Sequence, residues 1–188
     1  MELQLDPKTT ALVLIDLQRL IVGRELAPHS GAEVVQRSSR LAKKVRESGG
    51  TVIYVRVLVS EVLRLPVDLA HPRGSAPPPP DASELVPEAG MQPEDVVVAK
   101  RQWGAFYGTD LEQQLRRRGI RTIVMGGIAT NMGVESTARA AHDLGYELVF
   151  AEDAMASMSA EMHAFPVKNI FPRMGRVRSV EEIVAALG

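Results

Sequence analysis

The chain has 188 residues, 45% of them hydrophobic and 24% charged, with 22 Lys and Arg against 23 Asp and Glu for a formal net charge of -1. That length fits one globular domain spanning residues 1–188, able to bury a core without disulfide or metal staples. Balanced charge and 4% aromatic content argue against a nucleic-acid partner, and the absence of cysteine excludes disulfides, thiolate metal sites and a thiol nucleophile.

Met1 to Pro7 carries no basic region followed by an apolar core, and no apolar run reaches membrane-spanning length. The expectation is a soluble cytoplasmic protein with no membrane contact. Thr10 to Ile15 is a short apolar run ending in Asp16 and reads as a buried parallel strand. A helical pattern follows, with Val34, Leu41, Ala42 and Val45 on one face and Gly49-Gly50 as its stop. Thr51 to Val59 reads as a second strand, rich in β-branched residues.

Residues 60 to 94 break this rhythm with Pro66, Pro72, the run Pro77 to Pro80, Pro87 and Pro93. Two roles suit such an excursion: a surface loop with stiff extended stretches, or a lid or oligomer contact. Val96 to Ala99 is a third strand ending at Lys100, and Thr109-Asp-Leu-Glu112 reads as a capping box for a helix that buries Leu111 and Leu115. Gly119 stops that helix. Arg121 to Met125 is a fourth strand, followed by Gly126-Gly127 and a helix from about Asn131 to Leu144. Tyr146 to Ala151 is a fifth strand, a helix lies between Ser159 and Ile170, Arg176 to Arg178 is read as a sixth strand, and Ser179 to Glu182 caps the last helix.

Strands alternating with helices predict an α/β fold: three α/β/α layers around a mostly parallel, Rossmann-like sheet of about six strands. No G-x-G-x-x-G follows the first strand and no P-loop occurs, so the usual nucleotide signals are missing and no cofactor is expected.

In such sheets ligands bind beyond the carboxyl ends of the strands. The first strand delivers Asp16 there, the third Lys100, and the fourth a glycine-rich loop leading into a helix N-terminus near Asn131. A carboxylate, an ammonium and free backbone N–H groups would converge on one crevice, a setting suited to a developing oxyanion.

Three segments carry a resemblance. Thr10-Ala-Leu-Val-Leu-Ile-Asp16-Leu-Gln18 resembles the opening strand of the isochorismatase-like hydrolases. Lys100-Arg-Gln-Trp-Gly-Ala-Phe-Tyr-Gly-Thr-Asp-Leu111 resembles their lysine segment, and Gly127-Ile-Ala-Thr-Asn-Met-Gly-Val-Glu-Ser-Thr-Ala-Arg-Ala140 their nucleophile segment. Gly145-Tyr146 and Ala151-Glu-Asp-Ala154 also match, so the likeness runs from about residue 8 to 180, the proline-rich loop excepted. In most of that family these segments supply an Asp–Lys–Cys triad. Asp16 and Lys100 match its first two members, while Gly133 stands at the cysteine position.

The resemblance implies a hydrolase of a small metabolite. With Gly133 it implies the subgroup that hydrolyses an enol ether without a covalent intermediate: Asp16 protonates the vinyl carbon, Lys100 is its electrostatic partner and water attacks the oxocarbenium ion. It implies substrate contacts from Gln18, Trp103, Phe106, Tyr107, Ile128, Ala129, Thr130, Asn131 and Met132, a cis peptide at Ile128-Ala129, and a homo-oligomer. Two positions depart from true isochorismatases. Val57, beside Arg56, stands where they carry a glutamine, and Asn131-Met132 stands where they carry His-Asn or His-Ile. These departures motivate alternatives: an inactive small-molecule-binding or regulatory member of the family, or an inactive partner of a cysteine-bearing paralogue.

A general acid must hold its proton near neutrality, which burial of Asp16 would favour and the Lys100 ammonium would oppose. The sequence leaves open which wins. Relatives of the nicotinamidase type hold a metal through an Asp and paired histidines after the second strand. Here that region has Asp68 and only His71, so no metal site is expected. His29, His142 and His163 are scattered and read as surface or helix-face residues. Arg116-Arg117-Arg118 suits a helix C-terminus, and the eight methionines read as core filler. Trp103, Phe106 and Tyr107 either wall the pocket or make a subunit contact.

Overall fold

The computed structural model describes residues 3–69 and 77–188. Six strands form one sheet: β1 (Thr10–Ile15), β2 (Thr51–Val57), β3 (Val96–Lys100), β4 (Thr122–Ile128), β5 (Glu147–Ala156) and β6 (Gly175–Arg178). Their order is β3-β2-β1-β4-β5-β6 and every neighbouring pair is parallel. The helices are α1 (Arg19–Val22), α2 (Gly31–Glu47), α3 (Leu111–Arg117), α4 (Glu135–Asp143), α5 (Ala160–Phe165) and α6 (Val180–Ala186).

The two faces of the sheet follow from the period-two alternation of β-strands. Leu12, Leu14, Val52, Tyr54, Val124 and Val149 pack beneath α2 and α6. Ala11, Val13, Ile15, Ile53, Val55, Val98, Ile123 and Met125 pack beneath α3 and α4. β1 is central and wholly buried, which is why its sequence is continuously apolar rather than alternating. The sheet order reverses between β1 and β4, so the crevice of a doubly wound fold opens beyond Asp16 and the β4 loop.

Local signals explain most element boundaries. Ser30 and Glu33 close a capping box on α2, and Ser179 and Glu182 close the expected one on α6. The box expected at Thr109–Glu112 does not form. α3 begins at Leu111, and the Thr109 hydroxyl accepts from Leu111 N–H at 3.1 Å and donates to the Ala105 carbonyl, while Glu112 pairs with Arg116. The competing i+2 hydroxyl turn explains the difference. The helix expected from Asn131 opens instead as a π-helical turn, Thr130–Val134, before α4. The one expected to reach Ile170 is α5 followed by a second π turn, Pro166–Ile170. β5 runs on to Ala156 through a register shift: Met125 pairs with Phe150, but Gly127 pairs with Met155.

The proline-rich excursion is partly built into the fold. Residues 62–69 are largely exposed, with Leu63, Leu65, Val67 and Leu69 open to solvent. The returning stretch lies against the segment after β1: Arg19 N–H donates to Glu84 O at 2.9 Å and Val86 N–H to Leu17 O at 3.0 Å. Pro72 and His71 fall outside the described residues. No helix among the described residues is long and apolar enough to cross a membrane.

Candidate active site

Three strand ends build the site. Asp16 turns out of β1 with φ 53°, in the left-handed region that Asp tolerates better than most residues. Its N–H still donates to Val55 O at 2.8 Å, so the carboxyl departs from a fixed point of the ladder. Lys100 ends β3, two strands away, in register with Val57 on the intervening β2. Its long stem reaches across that strand end to place Nζ 2.9 Å from Asp16 Oδ2 and 2.7 Å from the Trp103 carbonyl, to which it donates. Both groups are buried, Lys100 to 1% exposure and Asp16 to 7%. A buried ammonium at that depth needs such partners, because an unpaired charge is costly to desolvate.

β4 supplies the third side. Gly127 has φ 114°, and a Cβ there would lie 2.2 Å from Ile15 O, so only glycine lets the end of β4 lie directly against the residue preceding Asp16. The Ile128-Ala129 peptide is cis, as the resemblance implied. The chain then enters the π turn, which carries Gly133 over the ion pair. A Cβ on Gly133 would lie 2.9 Å from Ile15 Cγ2, 3.0 Å from Lys100 Nζ and 3.3 Å from Asp16 Oδ2. Thr137 secures this turn, donating to Gly133 O at 2.6 Å while accepting from Ala105 N–H at 3.1 Å, which links it to the stretch after Lys100.

The electrostatic contest left open by the sequence is decided by burial. Desolvation pushes the Asp16 carboxyl up from its ordinary 3.8 to about 6, and outweighs the opposing pull of the Lys100 charge and hydrogen bond and of the Val57 backbone N–H. Asp16 Oδ1 is buried without a hydrogen-bond partner among the described residues. The carboxyl thus has Oδ2 held by Lys100, while Oδ1 makes no hydrogen bond of ordinary geometry and has the Val57 backbone N–H nearby.

The cavity over this pair measures about 100 Å³. Of the residues expected in a site, Asp16, Lys100, Trp103, Ile128, Ala129, Met132 and Gly133 line it. The others are placed elsewhere. Gln18 is fully buried and bonded to Val57 and Ala82. The Thr130 hydroxyl is bonded to His163 Nδ1 at 2.8 Å, and Asn131 Oδ1 accepts from Ser157 Oγ at 2.5 Å. Phe106 packs on Tyr146 at 6.1 Å between ring centroids, and Tyr107 is 86% exposed. Ile21, Arg24, Val62, Gln102 and Met158 also line the cavity and are not singled out by the sequence: Gln102 lies within the lysine segment, the other four in stretches without periodicity or motif. His163 is not a surface residue. It is buried against the π turn, and burial lowers its pKa.

Among the described residues there is no group of three or more His, Asp or Glu side chains that could hold a metal ion. His71, the histidine considered for such a site, lies outside them.

The family model for the isochorismatase domain matches residues 10–182, the span that contains all three strand ends. The chain belongs to the isochorismatase family. This isochorismatase-family hydrolase is 54% identical over 197 residues to the isochorismatase family protein YecD of Escherichia coli O157:H7, covering 98% of this chain and 100% of that one. It is 46% identical over 185 residues to YwoC of Bacillus subtilis (strain 168), covering 97% and 96%. Among solved structures, an isochorismatase family protein from Burkholderia thailandensis superposes with a TM-score of 0.92 at 43% identity, covering 100% of this chain and 99% of that one.

Proposed function

We propose that this isochorismatase-family hydrolase cleaves a small enol ether, or a substrate of similar reactivity, without a covalent enzyme intermediate. The observation that carries this reading is the Asp16 carboxyl: buried, shifted to about 6, with Oδ2 on Lys100 and the pair lying beneath a glycine. The chain has no cysteine, so a thiol acyl-enzyme is outside its chemistry.

On this mechanism the Asp16 carboxylic acid gives its proton to the terminal vinyl carbon. The alkene π pair forms the new C–H bond and the ether oxygen shares the resulting positive charge as an oxocarbenium ion. Water adds to the cationic carbon and returns a proton to the Asp16 carboxylate. The hemiketal then collapses, breaking the C–O bond to release an alcohol and a ketone. Lys100 holds Oδ2 throughout and stabilises the carboxylate formed after proton donation. Gly133 leaves the space above the pair for substrate or water. Among the lining residues the charged side chains are Asp16, Arg24 and Lys100. With Asp16 in its proton-donating state the pair carries the single positive charge of Lys100, which supports an anionic substrate such as a carboxylate-bearing enol ether. The exposed apolar row Leu63, Leu65, Val67 and Leu69 supports assembly of more than one copy.

The test is incubation of the purified protein with isochorismate and a panel of small enol ethers, amides and imides, with products followed by mass spectrometry and Asp16→Ala run in parallel. Turnover that disappears in the variant is the expected result. Turnover that survives Asp16→Ala overturns the mechanism, and no turnover with any compound moves the assignment to a ligand-binding member of the family.

A further inference from the structure

Gln18 follows Asp16 by two residues and is wholly buried, yet it does not line the cavity. Its carboxamide instead makes three hydrogen bonds. Nε2 donates to Val57 O at 3.0 Å and to Ala82 O at 3.1 Å, and Oε1 accepts from Val57 N–H at 2.8 Å. A primary amide has two donor hydrogens. Both are committed to carbonyls, so no donor remains for a substrate.

The geometry copies a strand neighbour. The last ladder pair between β1 and β2 is Ile15 with Val55, and Asp16 N–H makes the final bond, to Val55 O. Alternate residues of a strand present their main-chain groups to the same neighbour, so the N–H and C=O of Val57 face β1 as those of Val55 do. The β1 backbone has already turned away at Asp16, and the planar amide of Gln18 takes its place. The main chain of Gln18 meanwhile forms a bridge with Leu85 in the returning stretch of the excursion. One residue thus ties together the turn that carries Asp16, the cavity-wall residue Val57 and the segment around Ala82.

We propose that Gln18 is a positioning residue: by substituting for the missing β1 backbone and holding Ala82, it keeps the strand end behind Asp16 closed, so that the Asp16 carboxyl meets Lys100 at the floor of the cavity. The consequence for turnover rests on the proton-transfer role proposed for Asp16. The consequence for the carboxyl itself does not.

The experiment is a pH titration of the Asp16 carboxyl by 13C NMR on protein labelled at the aspartate carboxyl carbons, with the resonance assigned from Asp16→Asn. Wild type, Gln18→Met and Ser83→Ala are compared, each checked for folding by circular dichroism. Gln18→Met keeps shape and removes all three hydrogen bonds. Ser83→Ala loosens the same returning stretch, by removing the Oγ that accepts from Val59 N–H at 2.9 Å, without touching Gln18. The Lys100 partner of Asp16 and the other charged residue lining the cavity, Arg24, are unchanged in all three. In Gln18→Met the midpoint falls from about 6 by about one pH unit or more towards the ordinary 3.8, because the strand end behind the carboxyl opens and the Val57 N–H is freed towards it, while Ser83→Ala stays at about 6. A folded Gln18→Met that titrates as wild type overturns the proposal, and so does a Ser83→Ala that shifts equally. Should Gln18→Met not fold, Gln18→Asn, too short to span Val57 and Ala82, carries the same comparison. With a substrate in hand, kcat falls by about tenfold or more with KM within about twofold, and a raised KM at unchanged kcat makes Gln18 a substrate ligand instead. Absence of turnover in wild type counts against the proposed function and leaves the titration result standing.

Discussion

Gly133 lies so close to Lys100 that a Cβ on it would come to 3.0 Å from Nζ, and the same Cβ would press to 2.9 Å on Ile15 Cγ2. The glycine is therefore part of how the ion pair is packed. Gly133→Ala should fold, with a loss of about 1–3 kcal/mol in urea unfolding from overpacking. It should lower turnover by about tenfold or more by intruding on the space above Asp16. A variant as active and as stable as wild type would show that the turn has room to spare.

The state of Asp16 sets the pH dependence of turnover. Proton donation needs the protonated form, so the rate should decline as pH rises through about 6 and level off below it. The pH profile of kcat under saturating substrate checks this. A rate that instead climbs through the same range would assign Asp16 the role of base.

Stability carries its own signature of the same group. The folded protein binds the Asp16 proton more tightly than the unfolded chain, whose value is near 3.8. The stabilisation from this group is therefore complete below about 3.8 and is lost as pH rises through about 6. Glu33 and Glu182, both lowered by their capping-box hydrogen bonds, act in the opposite sense and lose their contribution as pH falls. Comparing urea unfolding of wild type and Asp16→Asn between pH 4 and 7 cancels those shared contributions: wild type should lose stability relative to the variant as pH rises.

Lys100 lowers the Asp16 pKa through charge and hydrogen bond, against the larger effect of burial. Lys100→Met removes only the lowering influences, so the carboxyl midpoint should move above about 6 when followed by the same NMR titration. A midpoint that stays put would mean that water takes over the role of the ammonium.

Thr130 and His163 join the π turn to α5 in a buried hydrogen bond of 2.8 Å. Thr130→Val leaves the imidazole without this partner and should cost about 1–3 kcal/mol in thermal or urea unfolding. His163→Ala in the same background should then add less than it does alone, which a double-mutant cycle measures.

The sheet, its strand ends and the identity of the Asp16–Lys100 pair were legible in the sequence because they rest on local regularities. A buried parallel strand is continuously apolar, and a polar residue at its end marks the loop face, whereas the close approach of Gly127 to Ile15 shows only in the packed sheet. The resemblance of three ordered segments added the position of Gly133 and the cis peptide. What the sequence left open depended on partners far along the chain. The amide of Gln18 is committed by Val57 and Ala82, the hydroxyl of Thr130 by His163, and the side chain of Asn131 by Ser157, so residues beside the cavity in sequence are turned away from it in space. Arg24, Val62 and Met158 reach the cavity from stretches with no periodicity to read. The protonation of Asp16 was likewise undecided by sequence, since a carboxyl and an ammonium attract in any solvent. Only the packed structure, by excluding water from the strand ends, lets the cost of desolvating the carboxylate outweigh the attraction of the Lys100 ammonium.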